Sequence, residues 1–328
     1  MEIDAKLRSL AIGVIEAHTA LEEIPHPLDE GDELGSNGDV RRVGWRDMSS
    51  TQDWGASFAA ASTSSMNFYD EIMVPRLFEP WAELLLDQTN PKSGQAVLDV
   101  ACGPGTVTRL AALRVGPSGR VVGCDLSPAM LELARSKIAA GPSAPIEYLE
   151  CPADSLRVSD DAFDVVTCQQ GLQFFPERAT ALVEMRRALR AGGKLGIAVW
   201  CAIEDCPPFA ALANALGRVL GAETATAYEN GPWGFGDSDS LARLVEENGF
   251  TNVNVGRCEL PLIFEGGPGQ LLLTLHAASV ATAIAQLSEA DRSALAAAVE
   301  EAAQPITLDG AVRSHAASYI LTAQVGDK

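Results

Sequence analysis

Two carboxylates and two glycines carry the most specific chemical signal in this chain. An apolar run at 96–101 contains Asp99 and ends in Asp99-Val-Ala-Cys-Gly103-Pro-Gly105-Thr-Val-Thr. Glycines at a strand-to-helix turn let the backbone approach a ligand closely and adopt conformations barred to other residues. Asp125 follows at the end of a second apolar run, where a carboxylate accepts hydrogen bonds from both hydroxyls of a ribose; the competing role is to cap the helix that starts at 128. A pyrophosphate-binding turn needs G-x-G-x-x-G, whose third glycine permits close helix packing, and that third position is Thr108. Asp99, just before the turn, repels phosphate and suits an ammonium or sulfonium group. The pattern therefore favours a ribosyl cofactor without pyrophosphate. A nicotinamide-dependent oxidoreductase is the competing reading, supported by the glycine turn and Asp125.

These residues need a scaffold that sets strand ends side by side. The spacing predicts strands at 96–101, 119–125, 146–151, 163–168 and 194–200, alternating with helices near 106–114, 128–140 and 177–190. Such alternation reads as a parallel sheet covered on both faces. Ser127 is the expected N-cap of the second helix, with Pro128 at its first position, and Gly192-Gly193 the expected stop of the third. Helices at 208–220 and 238–248, strands at 252–264 and 315–324, and a mostly helical stretch at 269–303 follow. Upstream, apolar residues at helical spacing over 3–21 predict an amphipathic helix, 25–37 reads as an acidic flexible linker, and 53–87 is helical. Trp54, Phe58, Phe68, Tyr69, Phe78 and Trp81 cluster in that last segment as expected core.

The runs VLDVACGPGTVT (97–108), VVGCDLSPAMLELAR (121–135), CPADSLRVSDDAFDVVTCQQGLQFF (151–175) and LRAGGKLGIAVW (189–200) together resemble the class I S-adenosylmethionine-dependent methyltransferases. The similarity is to the small-molecule branch that includes ubiquinone/menaquinone-biosynthesis enzymes, and it covers roughly residues 66–260. It implies an α/β, Rossmann-like fold: a seven-stranded, mostly parallel sheet with the last strand antiparallel, here with a helical N-terminal extension and a helical cap. The cofactor implied is S-adenosylmethionine, with S-adenosylhomocysteine as product. By the same resemblance Asp99, Ala101, Gly103 and Gly105 line the methionine and ribose part. Asp125 binds the ribose hydroxyls, with Leu126 and Met130 beside the adenosine. Ala153 and Asp154 contact adenine, Cys168 and Gln169 close the site, and Tyr69 covers the methionine end. The implied organisation is an N-terminal helix and linker (1–50), a covering helical segment (51–95), a cofactor-binding core (96–264, with an acceptor-site insertion at 201–237), a cap insertion (265–314) and a final strand and tail (315–328).

Methyl transfer is an in-line displacement at carbon on a sulfonium, so positioning is the main task and a dedicated base is optional. Relatives often carry histidine at the position of Gln173; glutamine orients by hydrogen bonds but is no base near neutral pH. Gln173, His276 and His315 are the expected catalytic candidates, with weaker claims for His18 and His26. Segments 53–81, 200–236 and 265–314 are rich in Trp, Phe, Leu and Ala, which points to an apolar or aromatic acceptor such as a secondary metabolite, methylated at oxygen or carbon. The alternative within the fold is a non-methylating catalyst, a lyase, cyclase or pericyclic enzyme that retains the cofactor.

Composition narrows the classes further. The 328 residues are 47% hydrophobic and carry a formal net charge of −20, which disfavours nucleic acid and anionic substrates. The basic run Arg186, Arg187 and Arg190 reads as solvated cations in a last helical turn. No apolar run reaches a bilayer-spanning length and no signal peptide pattern opens the chain, so a cytoplasmic protein without membrane contact is expected. The seven scattered cysteines suggest neither a disulfide framework nor a zinc or other metal site. The apolar face of the 3–21 helix is one that a second copy of the chain would bury, making a homodimer.

Overall fold

An eight-stranded sheet organises the protein, in the order β3-β2-β1-β4-β5-β8-β6, with the short β7 paired to β8. The computed structural model describes residues 69–233, 235 and 237–326. The 3–21 helix, the 25–37 linker, Trp54, Phe58, Phe68, His18 and His26 lie outside the described residues.

The strands are β1 (Ala96–Val100), β2 (Arg120–Asp125), β3 (Ile146–Glu150), β4 (Phe163–Gln169), β5 (Leu189–Trp200), β6 (Phe250–Phe264), β7 (Thr307–Leu308) and β8 (Ala311–Val325). β1 to β5 pair in parallel, and β8 runs antiparallel to both β5 and β6. All five residues of β1 are buried, as expected of a strand covered on both faces. On one face α1 (Glu79–Thr89) and α2 (Thr106–Val115) bury Leu86, Val107, Ala111 and Val115 against Val97, Val121 and Val165. On the other, α4 (Arg178–Ala188) and α7 (Ser238–Glu247) bury Leu182, Met185, Leu241 and Val245 against Leu98, Val166 and Leu195. Between them in sequence, α3 (Pro128–Ser136) starts as expected, with Ser127 Oγ accepting from the Met130 N–H at 3.4 Å.

Two helix ends differ from expectation. α4 stops at Ala188, because Leu189 already has the extended φ/ψ of −78°/139° and pairs with Phe163. Gly192 and Gly193 therefore sit in a bulge of β5, between the Leu189 and Lys194 pairings, and not at a helix terminus. Arg190 lies in that strand and pairs with Asp164 at 2.8 Å. Arg187, expected in solvent, instead ties 156–160 to α4 through Glu184 (2.8 Å), Asp160 (2.6 Å) and the carbonyls of Leu156 and Val158. α3 ends at Ser136, where Lys137 turns extended and pairs with Asp70.

β8 outruns its neighbour. Its pairing with β5 ends at Trp200↔Ser318, while its pairing with β6 continues to Phe264↔Val312. This two-stranded ribbon projects beyond the carboxyl end of β5, and α5 (Pro207–Leu220), α6 (Ala222–Glu229), α8 (Gly267–Leu273), α9 (Ala281–Ala285) and α10 (Glu289–Ala303) gather near it. Phe209, Leu212, Leu271, Leu295 and Val299 bury with Leu262, Phe264, Val312 and Ala316. Helices of the stretch 265–314 thus pack on the overhang, with β7 and the first residues of β8 inside the same span.

Packing of α1 on β5 leaves no room at Gly196, where an added Cβ would meet Thr89 Cγ2 at 2.2 Å, whereas Gly256 on β6 has nothing within 4 Å. We expect Gly196→Ala to cost about 1–3 kcal/mol in urea unfolding and Gly256→Ala to stay within about 0.5 kcal/mol of the parent; equal costs would contradict this packing.

Candidate active site

The carboxyl ends of β1, β2, β4 and β5 open into a cavity of about 430 Å³, within the range of small-molecule sites. The turn after β1 shapes its floor. Ala101, Gly103 and Gly105 all have positive φ (56°, 52° and 76°), and the Cys102 N–H donates to the Cys124 carbonyl at 2.9 Å. A Cβ on Gly103 would meet nothing within 4 Å, so the backbone here is bare toward open space. A Cβ on Gly105 would meet the Tyr148 hydroxyl at 2.5 Å. Gly105 is not among the residues that line the cavity; its φ of 76° shapes the turn, and the Tyr148 side chain packs beside it.

Asp125, at the end of β2, clamps the turn. Its Oδ2 accepts from the Gly103 N–H at 2.8 Å and its Oδ1 from the Ser127 N–H at 2.9 Å. A carboxylate presents about four lone-pair sites, so acceptor capacity remains for a ligand hydroxyl. Burial pushes this carboxyl above its ordinary range, opposed by those backbone N–H bonds. Asp99 is buried within β1, its Oδ2 accepting from Thr108 Oγ1 at 2.6 Å and its Oδ1 from Thr167 Oγ1 at 3.0 Å. Burial pushes its pKa to about 7, against the pull of the two hydroxyls. Beside the turn, Thr106 Oγ1 is buried without a partner on the cavity wall.

A wide helical segment, Tyr69–Phe78, leads into α1 and covers the cavity; Pro75 inside it removes one backbone donor and accompanies its π-helical winding. Gln169 Nε2 donates to the Phe78 carbonyl at 2.8 Å, and the Lys137–Asp70 pair holds the other end. Burial and the charges of Asp125 and Asp70 keep the Tyr69 hydroxyl protonated.

Ten of the twelve residues expected at the cofactor line this cavity: Tyr69, Asp99, Ala101, Gly103, Asp125, Leu126, Met130, Ala153, Asp154 and Gln169. Cys168 lies behind the wall, fully buried against Gly171, and burial lifts its thiol to about 12. The catalytic candidates fare differently. Gln173 is buried away from the wall; its Nε2 donates to Gln170 Oε1 at 3.3 Å and its carbonyl accepts from Arg178. Gln170 faces the cavity instead, because its left-handed φ of 53° turns the chain there, and its Nε2 donates to Ser318 Oγ at 3.0 Å. His276 is in the cap but off the wall, and burial with the nearby Arg292 lowers its pKa. His315 pairs across β8 with Pro261, also off the wall. Among the described residues, the wall holds no histidine.

Beyond the cofactor end the wall becomes aromatic. Trp200 lies 5.5 Å from Trp233, Trp233 4.9 Å from Phe209, and Phe78 6.3 Å from Trp200, with Tyr228 and Thr274 alongside. Sequence reasoning placed the acceptor in these segments without naming Gln170, Trp200, Tyr228 or Trp233. A tryptophan between Pro232 and Gly234, in a loop otherwise rich in glycine, was the available signal for the last.

The bare glycine and the carboxylate at the end of β2 suit an adenosyl cofactor, and the sheet order is that of a Rossmann-like methyltransferase. Comparison with known proteins agrees. The model of the ubiE/COQ5 methyltransferase family matches residues 60–259. A demethylmenaquinone methyltransferase of Bacillus velezensis is 33% identical over 186 residues, covering 53% of this chain and 78% of its own. A ubiquinone/menaquinone biosynthesis C-methyltransferase of Hahella chejuensis is 35% identical over 137 residues, 42% of this chain and 54% of that one. In fold, a crystal structure from Bacillus halodurans C-125, of a protein assigned to the methyltransferases, aligns with TM-score 0.50 at 23% identity, covering 75% of this chain and 98% of that one. The chain belongs to the ubiE/COQ5 methyltransferase family. It is an S-adenosylmethionine-dependent methyltransferase, and its product cofactor is S-adenosylhomocysteine.

Asp125→Ala removes a charged acceptor, and we expect S-adenosylhomocysteine affinity by calorimetry to fall about 10- to 100-fold in a protein that still unfolds cooperatively, at a somewhat lower temperature because the Gly103 and Ser127 N–H groups lose their acceptor; unaltered affinity would contradict this site. Asp99 supplies a pH signature. Its folded pKa is raised to about 7, so in the empty protein it is increasingly neutral below that pH. A cationic cofactor favours the ionised form, so S-adenosylmethionine affinity should fall as pH drops from 7 toward 5, with proton release at pH 6.5. Calorimetry in two buffers of different ionisation enthalpy measures that release, and Asp99→Asn should abolish it.

Proposed function

We propose that this enzyme methylates an electron-rich aromatic small molecule at carbon or oxygen, in the biosynthesis of a secondary metabolite, chiefly by positioning. The observation that carries the reading is the continuity of one cavity from Asp125 and Gly103 to the wall of Trp200, Phe209 and Trp233. When bound, S-adenosylmethionine supplies a methyl carbon on a sulfonium, already joined to a good leaving group. Asp125 takes the ribose hydroxyls, Leu126, Met130, Ala153 and Asp154 enclose the adenosine, and Asp99, Ala101 and Gly103 face the methionine part. Tyr69, Phe78 and the cap exclude water, and the tilted rings of Trp200, Trp233 and Phe209 orient a flat acceptor. The relatives named for demethylmenaquinone and for ubiquinone/menaquinone C-methylation support a ring-carbon acceptor.

The same reading assigns 51–95 as the covering segment, 96–264 as the cofactor core with its 201–237 insertion, 265–314 as the cap and 315–328 as the closing strand and tail, after an N-terminal region at 1–50. Among the described residues no helix is long and apolar enough to cross a membrane; the proposed acceptor is a small molecule met in the cytoplasm. A homodimer through the N-terminal region completes the proposal.

The test is S-adenosylhomocysteine release with a panel of naphthols, hydroquinones and phenols, against phosphoethanolamine and nucleotides as controls. Turnover confined to aromatics is the expected result. Tight cofactor binding with turnover only on the phosphorylated controls would overturn it. A cap-enclosed wall without histidine also suits a non-methylating catalyst, and methylated product in a single turnover decides between the two.

A further inference from the structure

The aromatic end of the cavity holds one buried polar group with no partner among the described residues, and a phenol beside it. Trp233 is 7% exposed and its Nε1 is buried without a hydrogen bond. Tyr228, 3% exposed, lines the same wall and brings a phenol hydroxyl, a donor, to this end of the cavity. Other polar groups of this region are engaged. Thr274 Oγ1 donates to the Leu271 carbonyl at 2.7 Å, Gln170 is bound to Gln173 and Ser318, and Cys206 is bound to Ala317. Both residues are also firmly placed. The Ser279 hydroxyl donates to the Ala227 carbonyl at 3.3 Å, fastening the last turn of α6, which carries Tyr228, to the cap. Trp233 is wedged between the rings of Trp200 and Phe209.

A buried donor without a partner is unfavourable, and a core that retains one usually has a use for it. Burial keeps the Tyr228 phenol protonated, with Cys206 as the only other contributor, so it offers a hydrogen bond and not a base. Resting on the aromatic-acceptor reading above, we propose that Tyr228 and Trp233 are the specificity-determining residues of the acceptor end. They donate hydrogen bonds to an oxygen substituent of the ring, a hydroxyl or carbonyl, and so select oxygenated aromatics over hydrocarbons of the same shape. Sites built to hydrogen-bond such a group discriminate strongly against the analogue that lacks it, because the protein donors are then left unpaired.

The test uses the full chain saturated with S-adenosylhomocysteine, titrated with 1-naphthol and with 1-methylnaphthalene, which differ by hydroxyl against methyl. Intrinsic tryptophan fluorescence reports binding, since Trp200 remains at this end in every variant. We expect the parent to prefer 1-naphthol by about 5-fold or more. Tyr228→Phe should reduce that preference, and Tyr228→Phe with Trp233→Phe should remove it, with S-adenosylhomocysteine affinity unchanged throughout. Equal binding of both probes by the parent, or a preference that survives in the double variant, overturns this assignment while leaving the aromatic acceptor intact. Binding of neither probe overturns both. Should the double variant lose cofactor affinity through misfolding, the single Tyr228→Phe exchange decides alone, and a full preference there counts against the proposal.

Discussion

A carboxylate stands in the middle of a strand that is buried along its whole length, and the geometry of the cofactor end follows from how that carboxylate is accommodated. Asp99 would be costly without partners, and its two oxygens are met by hydroxyls from different elements, Thr108 on α2 and Thr167 on β4. The head of α2 is therefore drawn against β1 and β4, which forces the intervening turn into its succession of left-handed residues at 101, 103 and 105. Cys102 and Gly103 then meet the end of β2, through the Cys124 carbonyl and the Asp125 carboxylate. One buried carboxyl group thus couples three strands and a helix at the floor of the cavity.

The aromatic end of the cavity depends on a different device, the unequal length of neighbouring strands. β6 and β8 continue past β5 and carry apolar residues into the space above the sheet, where Leu262, Phe264, Val312 and Ala316 need cover. The cap helices supply that cover, and in doing so bring Phe209, Tyr228 and Trp233 against Trp200 at the tip of β5. The aromatic wall is a by-product of burying the overhang, which is why it draws on residues from 69 to 278.

The stretch after β4 shows how far local pattern carries. Gln173 was the natural choice for a substrate-facing residue, by analogy with relatives that place histidine there. Three residues earlier the backbone takes a positive φ at Gln170, and the short helical turn that follows buries Gln173 and exposes Gln170 to the cavity. A single left-handed residue that is not glycine leaves no mark in the sequence, because its conformation is imposed by the hydrogen bond to Ser318, far along the chain on β8. Arg190 makes the same point for secondary structure. Helix propensity and a pair of following glycines suggested one end for α4, and pairing of Leu189 with Phe163 imposed another.

By itself the sequence determined the alternation of strands and helices, the N-cap at Ser127, the glycine turn and the carboxylates at 99 and 125, because each depends on neighbours within a few positions or on the burial period of one element. Family membership was legible for the same reason: four short runs, each local, in a fixed order. The tertiary structure alone decided which residues line the cavity, and that Gly105, Cys168, His276 and His315 lie off its wall. Those outcomes depend on contacts between segments more than a hundred residues apart, such as Gln170 with Ser318 and Cys206 with Ala317, and side-chain spacing along the chain carries no information about them.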